Sequence, residues 1–209
     1  NTDALKYGRI DFIYQLRTEN DTWNFTETIS FEVKNIIWEK INEKVMNQTL
    51  FALHLFLGIS YWKITCAPEI IVNSGKLTQT QAKFWNTVYT KGLGQFHYEN
   101  EIDFRNLVSF PVSAEIAKNA ASSNNSEKAL LLIGGGKDSL MSAELLKKHD
   151  LPFSCFTMGE SAVQHETILL IPSEEIVIKR AIDRQIIDIN KRPDVFNGHI
   201  PISIGYTLT

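Results

Sequence analysis

Apolar and polar positions change their spacing several times along the chain, and each change predicts an element. Ile10 to Leu16 and Trp23 to Val33 are rich in β-branched and aromatic residues and flank the polar stretch RTENDT, which predicts two strands and a turn. From Asn35 to about Tyr61 the apolar residues Ile36, Ile37, Ile41, Val45 and Leu50 recur at helical spacing, with no Gly or Pro before Gly58, which predicts a helix. A second helix is predicted over Thr80 to Lys91, with Phe84, Trp85 and Val88 on one side. KGLGQFHYEN, Lys91 to Asn100, then reads as a helix stop and a loop.

KNAASSNNSEK, Lys118 to Lys128, is small, polar and aperiodic, so 118–127 is predicted to be a linker between residues 1–117 and 128–209. Beyond it the pattern alternates. Leu130 to Ile133 is a predicted strand and Asp138 to His149 a helix, with Leu140, Met141, Leu145 and Leu146 apolar and Glu144, Lys147 and Lys148 polar. Pro152 to Thr157 is a second strand, Ser161 to Leu170 a helix, Ile176 to Ile182 a third strand and Arg184 to Lys191 a short helix. Strand, helix, strand, helix, strand predicts a parallel α/β sheet. The expected fold class is α/β: an N-terminal α+β domain, then a parallel-sheet domain. No internal repeat is present.

Composition narrows the function classes. Hydrophobic residues make up 44% and charged residues 22%, as in ordinary globular proteins. The net charge of -3 argues against a dedicated nucleic-acid binder. Cys66 and Cys155 form no CxxC pair, so neither a disulfide framework nor a cysteine zinc site is indicated. Cys155, inside PFSCFTM, is expected in the core; Cys66, in ITCAPEI, reads as a surface or pocket thiol. Trp38, Trp62, Phe84 and Trp85 are expected core residues. LFALHLFLGI is interrupted by His54 and is far shorter than the ~20 residues a membrane span needs. NTDALKYGRIDF lacks the basic and apolar regions of a signal peptide, so the sequons at Asn20, Asn24, Asn47 and Asn124 are read as composition and the compartment as cytoplasmic. Oligomeric state is not predicted.

ALLLIGGGKDSLMSAELLKK, Ala129 to Lys148, carries the chemistry. A strand that ends in glycines and runs into a helix builds an anion site: the backbone turns sharply, and the N–H groups of the first helical turn face the ligand. A P-loop is excluded because Asp138 follows Gly136-Lys137 and position 131 is Leu. The dinucleotide fingerprint is excluded because Ser139 stands where its third glycine belongs. A tight packing turn is the alternative reading, but three adjacent glycines exceed what a turn needs.

Gly134-Gly135-Gly136-Lys137-Asp138-Ser139 resembles the S-G-G-x-D-S loop of the ATP pyrophosphatase (PP-loop) superfamily, with Gly134 in place of the first serine. The resemblance implies an adenine nucleotide alpha hydrolase-like domain, incomplete at 128–209, whose loop cradles the pyrophosphate of ATP. Asp138 would lie near Mg²⁺, Ser139 would donate to a phosphate oxygen, and Lys137 would supply charge in place of the missing hydroxyl. Met158 and its neighbours would touch adenine through backbone groups. The implied reaction is cleavage of ATP to AMP and pyrophosphate.

AKFWNTVYTKGLGQFHYEN (Ala82 to Asn100), IGGGKDSLMSAELL and NGHIPIS (Asn197 to Ser203) together resemble the UDP-N-acetylmuramoyl-L-alanyl-L-glutamate epimerase family of cell-wall synthesis. The chain lacks an initial Met and stops at GHIPISIGYTLT, and the family's chains are longer, so it is expected to be the N-terminal part of the full enzyme. The resemblance implies an ATP- and Mg²⁺-dependent isomerase without pyridoxal phosphate, acting on the UDP-N-acetylmuramoyl dipeptide. An acyl-adenylate removes the carboxylate charge and acidifies the glutamate Cα–H, so that a side-chain base can take the proton. His199 is the first candidate for that base; a phosphate contact, or a helix cap shared with Asn197, is the alternative. The stretch Asn197-Gly198 is expected to face the nucleotide. Lys91, Gln95, His97, Tyr98 and Asn100 are candidates for the UDP-sugar or dipeptide site, against a reading as a polar loop with Phe96 and Tyr98 in the core. Two other functions stay open: another adenylating enzyme, of amidotransferase or tRNA-modifying type, and a nucleotide-binding module without catalysis.

Overall fold

The computed structural model describes residues 5, 7–34, 36–114, 128–159, 161–171 and 173–199. The predicted linker at 118–127 and the end of NGHIPIS lie outside the described residues. In chain order the elements are β1 (Arg9–Arg17), β2 (Thr22–Phe31), a 3₁₀ turn (Trp38–Lys40), α1 (Glu43–Leu57), α2 (Ile59–Trp62), α3 (Gln79–Lys91) and α4 (Gly94–Glu99). There follow β3 (Ala129–Leu132), α5 (Lys137–Lys148), β4 (Phe153–Met158), α6 (Ala162–Leu169), β5 (Glu175–Ala181) and α7 (Gln185–Ile189). Packing divides the chain into two compact units, each discontinuous in sequence. The first is Asn1–Asp11, Glu27–Ile41 and Ser123–Ala181; the second is Phe12–Thr26, Asn42–Ser122 and Ile182–Thr209.

The strand order is β1-β2-β5-β4-β3. As the alternating pattern predicts, β3, β4 and β5 are parallel, with Leu131 opposite Cys155 and Cys155 opposite Glu175. β2 pairs antiparallel with β5, Thr28 opposite Ala181 and Phe31 opposite Ile178. The N-terminal hairpin therefore extends the parallel sheet. Glu27, fully buried, pairs with Arg180 at this junction, so burial of the carboxylate is offset by an ionic hydrogen bond. Within the hairpin, Gly8 C=O accepts the Phe31 N–H and Asp21 C=O accepts the Thr18 N–H. Each of those pairs adds to 39, as do Asp11–Thr28 and Gln15–Asn24, whose side chains bond across the strands. Even-numbered residues of β1 thus bond to β2, and the backbone groups of odd-numbered ones face the outer edge.

The first unit packs Ile133, Ala143, Cys155, Ile168 and Ile171 together, with Leu131, Leu140 and Phe153 against them. Cys155 is core, as expected. The second unit packs Leu16, Phe25, Tyr61, Ile64, Ile186 and Ile189. Burying each of the Ile, Leu and Phe side chains contributes about 1.5–3 kcal/mol.

Three local expectations change. The first helix starts at Glu43, not Asn35, because Asn42 accepts the Lys44 and Val45 N–H groups and Ile41 before it is extended. KGLGQFHYEN is not all loop: Gly94–Glu99 is a short helix that buries Phe96 and His97. Phe84 is not core but 58% exposed, since α3 turns Ala82, Trp85 and Tyr89 inward; Trp62 and Trp85 are buried and Trp38 is half-buried. Cys66 is buried rather than at the surface, and burial pushes its thiol up to about 12. Among the described residues no helix is long and apolar enough to cross a membrane.

Candidate functional site

In the first unit the glycine run leaves β3 at the carboxyl ends of the parallel strands. Ile133 N–H donates to Phe156 C=O at 2.8 Å, which sets the loop beside the last turn of β4 and Met158. Gly135 has φ +89, and a Cβ there would stand 2.8 Å from Val163 Cγ1 and 3.2 Å from the Gln164 nitrogen. Only glycine fits without strain. The start of α6 thus lies against the loop, and Gln164 Nε2 ties it down by donating to Ile133 C=O at 3.1 Å. Around Gly134 and Gly136 a Cβ would meet nothing within 4 Å, so the space above both is open.

Gly136 begins α5 and provides no side-chain cap, which leaves first-turn N–H groups available to an anion. α6 differs: Ser161 and Gln164 form a capping box there. Lys137 and Asp138 are exposed at the mouth of the loop. Ser139 is half-buried; its hydroxyl oxygen accepts the Gly134 N–H at 3.1 Å and its proton faces Leu132 C=O at a long 3.5 Å. That hydroxyl holds the loop closed and can turn its proton to a ligand at little cost. Among the described residues no three His, Cys, Asp or Glu side chains gather to hold a metal ion. A Mg²⁺ ion held mainly by a ligand's phosphate oxygens and water needs only one or two carboxylates, so exposed Asp138 beside the open loop would fit it.

The second unit brings two of the sequence-predicted stretches together. The segment entering NGHIPIS is anchored by Phe196 N–H to Ile64 C=O at 2.9 Å and by Lys63 Nζ to Gly198 C=O at 3.0 Å. Asn100 Nδ2 donates to Asn197 C=O at 3.0 Å and to Phe96 C=O at 2.8 Å. Gly198 packs so closely on α4 that a Cβ would stand 3.1 Å from the Phe96 ring. His199 and Asn197 are exposed beside these anchors.

The other candidates of this stretch separate. Lys91, Gln95 and Tyr98 are exposed, Tyr98 at 86%, so Tyr98 is not core. Gln95 Nε2 donates to Glu99 Oε1 at 2.8 Å. His97 is only 2% exposed and stacks on Phe104, with centroids 5.9 Å apart. Neither of its ring nitrogens makes a hydrogen bond of good geometry, and burial lowers its pKa against a weaker pull from the Thr90 backbone. No sequence signal marks Lys63, whose buried ammonium stands among apolar neighbours in YWKIT; desolvation lowers its pKa.

The second unit also holds a cleft of about 630 Å³ lined by residues 13–17 of β1 and the irregular stretch 67–74, reaching His54, Tyr61, Trp62, Tyr89 and Phe110. Tyr61 is fixed between Tyr14 and Phe25, with centroids at 4.7 and 4.6 Å. These residues are scattered over a hundred positions, and only the folded chain collects them.

A family model described as the MurL N-terminal domain matches residues 3–204. The chain belongs to the MurL N-terminal domain family. It is similar to three curated proteins, each named UDP-N-acetyl-alpha-D-muramoyl-L-alanyl-L-glutamate epimerase. That of Xanthomonas oryzae pv. oryzae is 32% identical over 162 residues, 78% of this chain and 36% of that protein. Those of Salinispora tropica and Micromonospora sp. are 28% and 30% identical, each over 95% of this chain and 43% and 44% of theirs. The chain spans less than half the length of these family members. No solved structure matches it significantly.

Proposed function

We propose that the chain belongs to a cytoplasmic epimerase that converts the terminal L-Glu of UDP-N-acetylmuramoyl-L-alanyl-L-glutamate to D-Glu in peptidoglycan precursor synthesis. The observation that carries this reading is the uncapped helix start at Gly136, reached through an open glycine run at the carboxyl ends of parallel strands. It supports phosphate binding in a chain whose named relatives are epimerases of this substrate.

In this reading the first unit is a PP-loop domain. The backbone of Gly134, Gly135 and Gly136 and the first turn of α5 hold the ATP phosphates, Lys137 supplies positive charge, Asp138 faces Mg²⁺ and Ser139 closes the loop. Met158, at the end of β4, borders the adenine. When bound, ATP would supply the adenylyl group that masks the glutamate carboxylate, with pyrophosphate leaving in that step and AMP leaving only when water later hydrolyses the acyl-adenylate. The chain's own task is then proton transfer at Cα. His199 is the proposed base: it is exposed and follows a backbone fixed by Lys63 and Asn100, which limits the imidazole's range. Lys91, Gln95 and Tyr98 are available to the sugar and dipeptide, and Asn100 through its Oδ1 alone, since its NH₂ is held by Phe96 and Asn197 C=O; buried His97 supports α4 from beneath.

The test is incubation of the intact protein with ATP, Mg²⁺ and the nucleotide dipeptide, scoring nucleotide products and glutamate chirality in one tube. AMP, pyrophosphate and D-Glu together support the epimerase. AMP without inversion keeps the adenylating loop and replaces the substrate. Nucleotide binding without AMP favours a non-catalytic module, the reading that Gly134 in place of serine keeps in play.

A further inference from the structure

We propose that the cleft beside β1 is the seat of the uracil base of the nucleotide substrate, an inference that rests on the function proposed above. Its volume, about 630 Å³, falls in the ~300–1,000 Å³ range of small-molecule sites. One wall is aromatic and rigid. Tyr61 is stacked on both faces and Trp62 meets Tyr89 edge-on at 5.1 Å, so the ring edges these residues turn to the cleft are fixed before a ligand arrives.

Another part of the lining is peptide. The register of the hairpin turns the N–H and C=O of Ile13, Gln15 and Arg17 to the outer edge of the sheet, where the cleft lies. The Ile13 carbonyl is already taken by His54 Nε2 at 3.2 Å; a carbonyl only accepts, so the imidazole carries its proton there. Gln15, next on that edge, presents one donor and one acceptor. A uracil ring carries an N–H between two carbonyls and can bond both Gln15 groups, as an added strand would.

Charge selects among the parts of the substrate. Arg17 and Glu69 are the formally charged residues that line the cleft, so their charges cancel. A diphosphate or a glutamate would find no excess of positive charge inside. A neutral flat base suits the cleft, and Arg17, closing the strand, suits the phosphates that leave it.

The experiment is calorimetric titration of the intact protein with uridine 5′-monophosphate, adenosine 5′-monophosphate and inorganic phosphate, for the wild type and two variants. Ser74→Trp fills the cleft from its exposed rim. Gln15→Pro removes one outward N–H from an edge strand, where proline is tolerated. The expected result is uridylate binding weakened about tenfold or more in both variants with circular dichroism unchanged, while adenylate and phosphate, ligands of the loop proposed in the first unit, bind the variants as they bind the wild type. KM for the nucleotide dipeptide should rise with it, while muramoyl dipeptide phosphate lacking uridine shows no change. Uridylate binding that Ser74→Trp leaves intact overturns the proposal, as does adenylate binding that Ser74→Trp weakens to the same extent. Epimerisation by Ser74→Trp at unchanged KM sinks the cleft assignment and leaves the epimerase standing. Cleft-dependent uridylate binding without inversion of glutamate upholds the cleft and removes the epimerase.

Discussion

The Asn100 carboxamide donates both to Phe96 C=O, at 2.8 Å, and to Asn197 C=O, at 3.0 Å, across 97 positions of sequence. One NH₂ group joins the last turn of α4 to the backbone that leads into His199. Asn100→Asp keeps the shape and replaces this double donor by an acceptor facing two carbonyls. It should destabilise the fold by about 1–3 kcal/mol, because two half-buried acceptors lose their donor and meet a negative charge. Asn100→Ala should cost less. Urea midpoints at pH 7.5 give the order; equal midpoints for the two variants would contradict the pairing.

Gly135 tests the loop in the same way. Its φ of +89 and the 3.2 Å approach of the Gln164 nitrogen penalise any side chain, whereas Gly134 and Gly136 have open space. Gly135→Ala should lose about 1–3 kcal/mol of stability from backbone strain. Gly134→Ser restores the hydroxyl of the resembled loop at an unobstructed position. It should leave the melting temperature nearly unchanged and tighten ATP binding, which thermal unfolding with and without Mg-ATP measures.

Range along the chain decides which features were readable in the sequence. The alternation from β3 to β5 was legible because each element carries its period within its own residues, and the glycine loop because φ +89 at Gly135 demands a residue without Cβ. The docking of β2 on β5 was not: Thr28 meets Ala181 through backbone bonds that any two β-rich strands can make. The burial of His97 was equally hidden. FHYE reads as polar, and only the turn of α4 sends His97 inward and Tyr98 out. The Asn197–Asn100 contact was anticipated only as two candidate stretches, never as a bond.

Two histidines should make stability depend on pH. His54 and His97 each have pKa values lowered from the ordinary 6.5, in both cases mainly by burial, with the Ile13 carbonyl opposing it at His54. In the unfolded chain both imidazoles take a proton near pH 6.5; folded, they resist it until lower pH. Below that value the unfolded state therefore binds more protons, and stability falls as pH drops through the window down to the folded values. The melting temperature should decline from pH 7.5 to 5.5. His97→Phe keeps a ring against Phe104 and should flatten part of that slope, while changing stability at pH 7.5 by no more than about 1.5 kcal/mol. An unaltered slope would show that His97 titrates normally in the fold.

Both thiols should be silent until the chain opens. Cys66 is 5% exposed, with its pKa pushed up to about 12, and Cys155 lies fully buried in β4, its thiol also raised by burial. Thiolate is the reactive form, so little of either is present at pH 8 and neither is accessible. Added to the folded protein, Ellman's reagent should release almost no colour over minutes, then two equivalents at once in 6 M guanidinium, the full count of cysteines in the chain. The two thiols differ in their surroundings. Cys66 has φ 51 and its Sγ lies 3.8 Å from Lys63 C=O, one turn after the lysine whose ammonium anchors the segment at Gly198. If Lys63→Met frees that segment, Cys66 should become the faster thiol, while Cys155, in the other unit, keeps its wild-type rate. Mass spectrometry of the alkylated peptides separates the two, and equal labelling of both would mean global unfolding instead of release of the 196–199 segment.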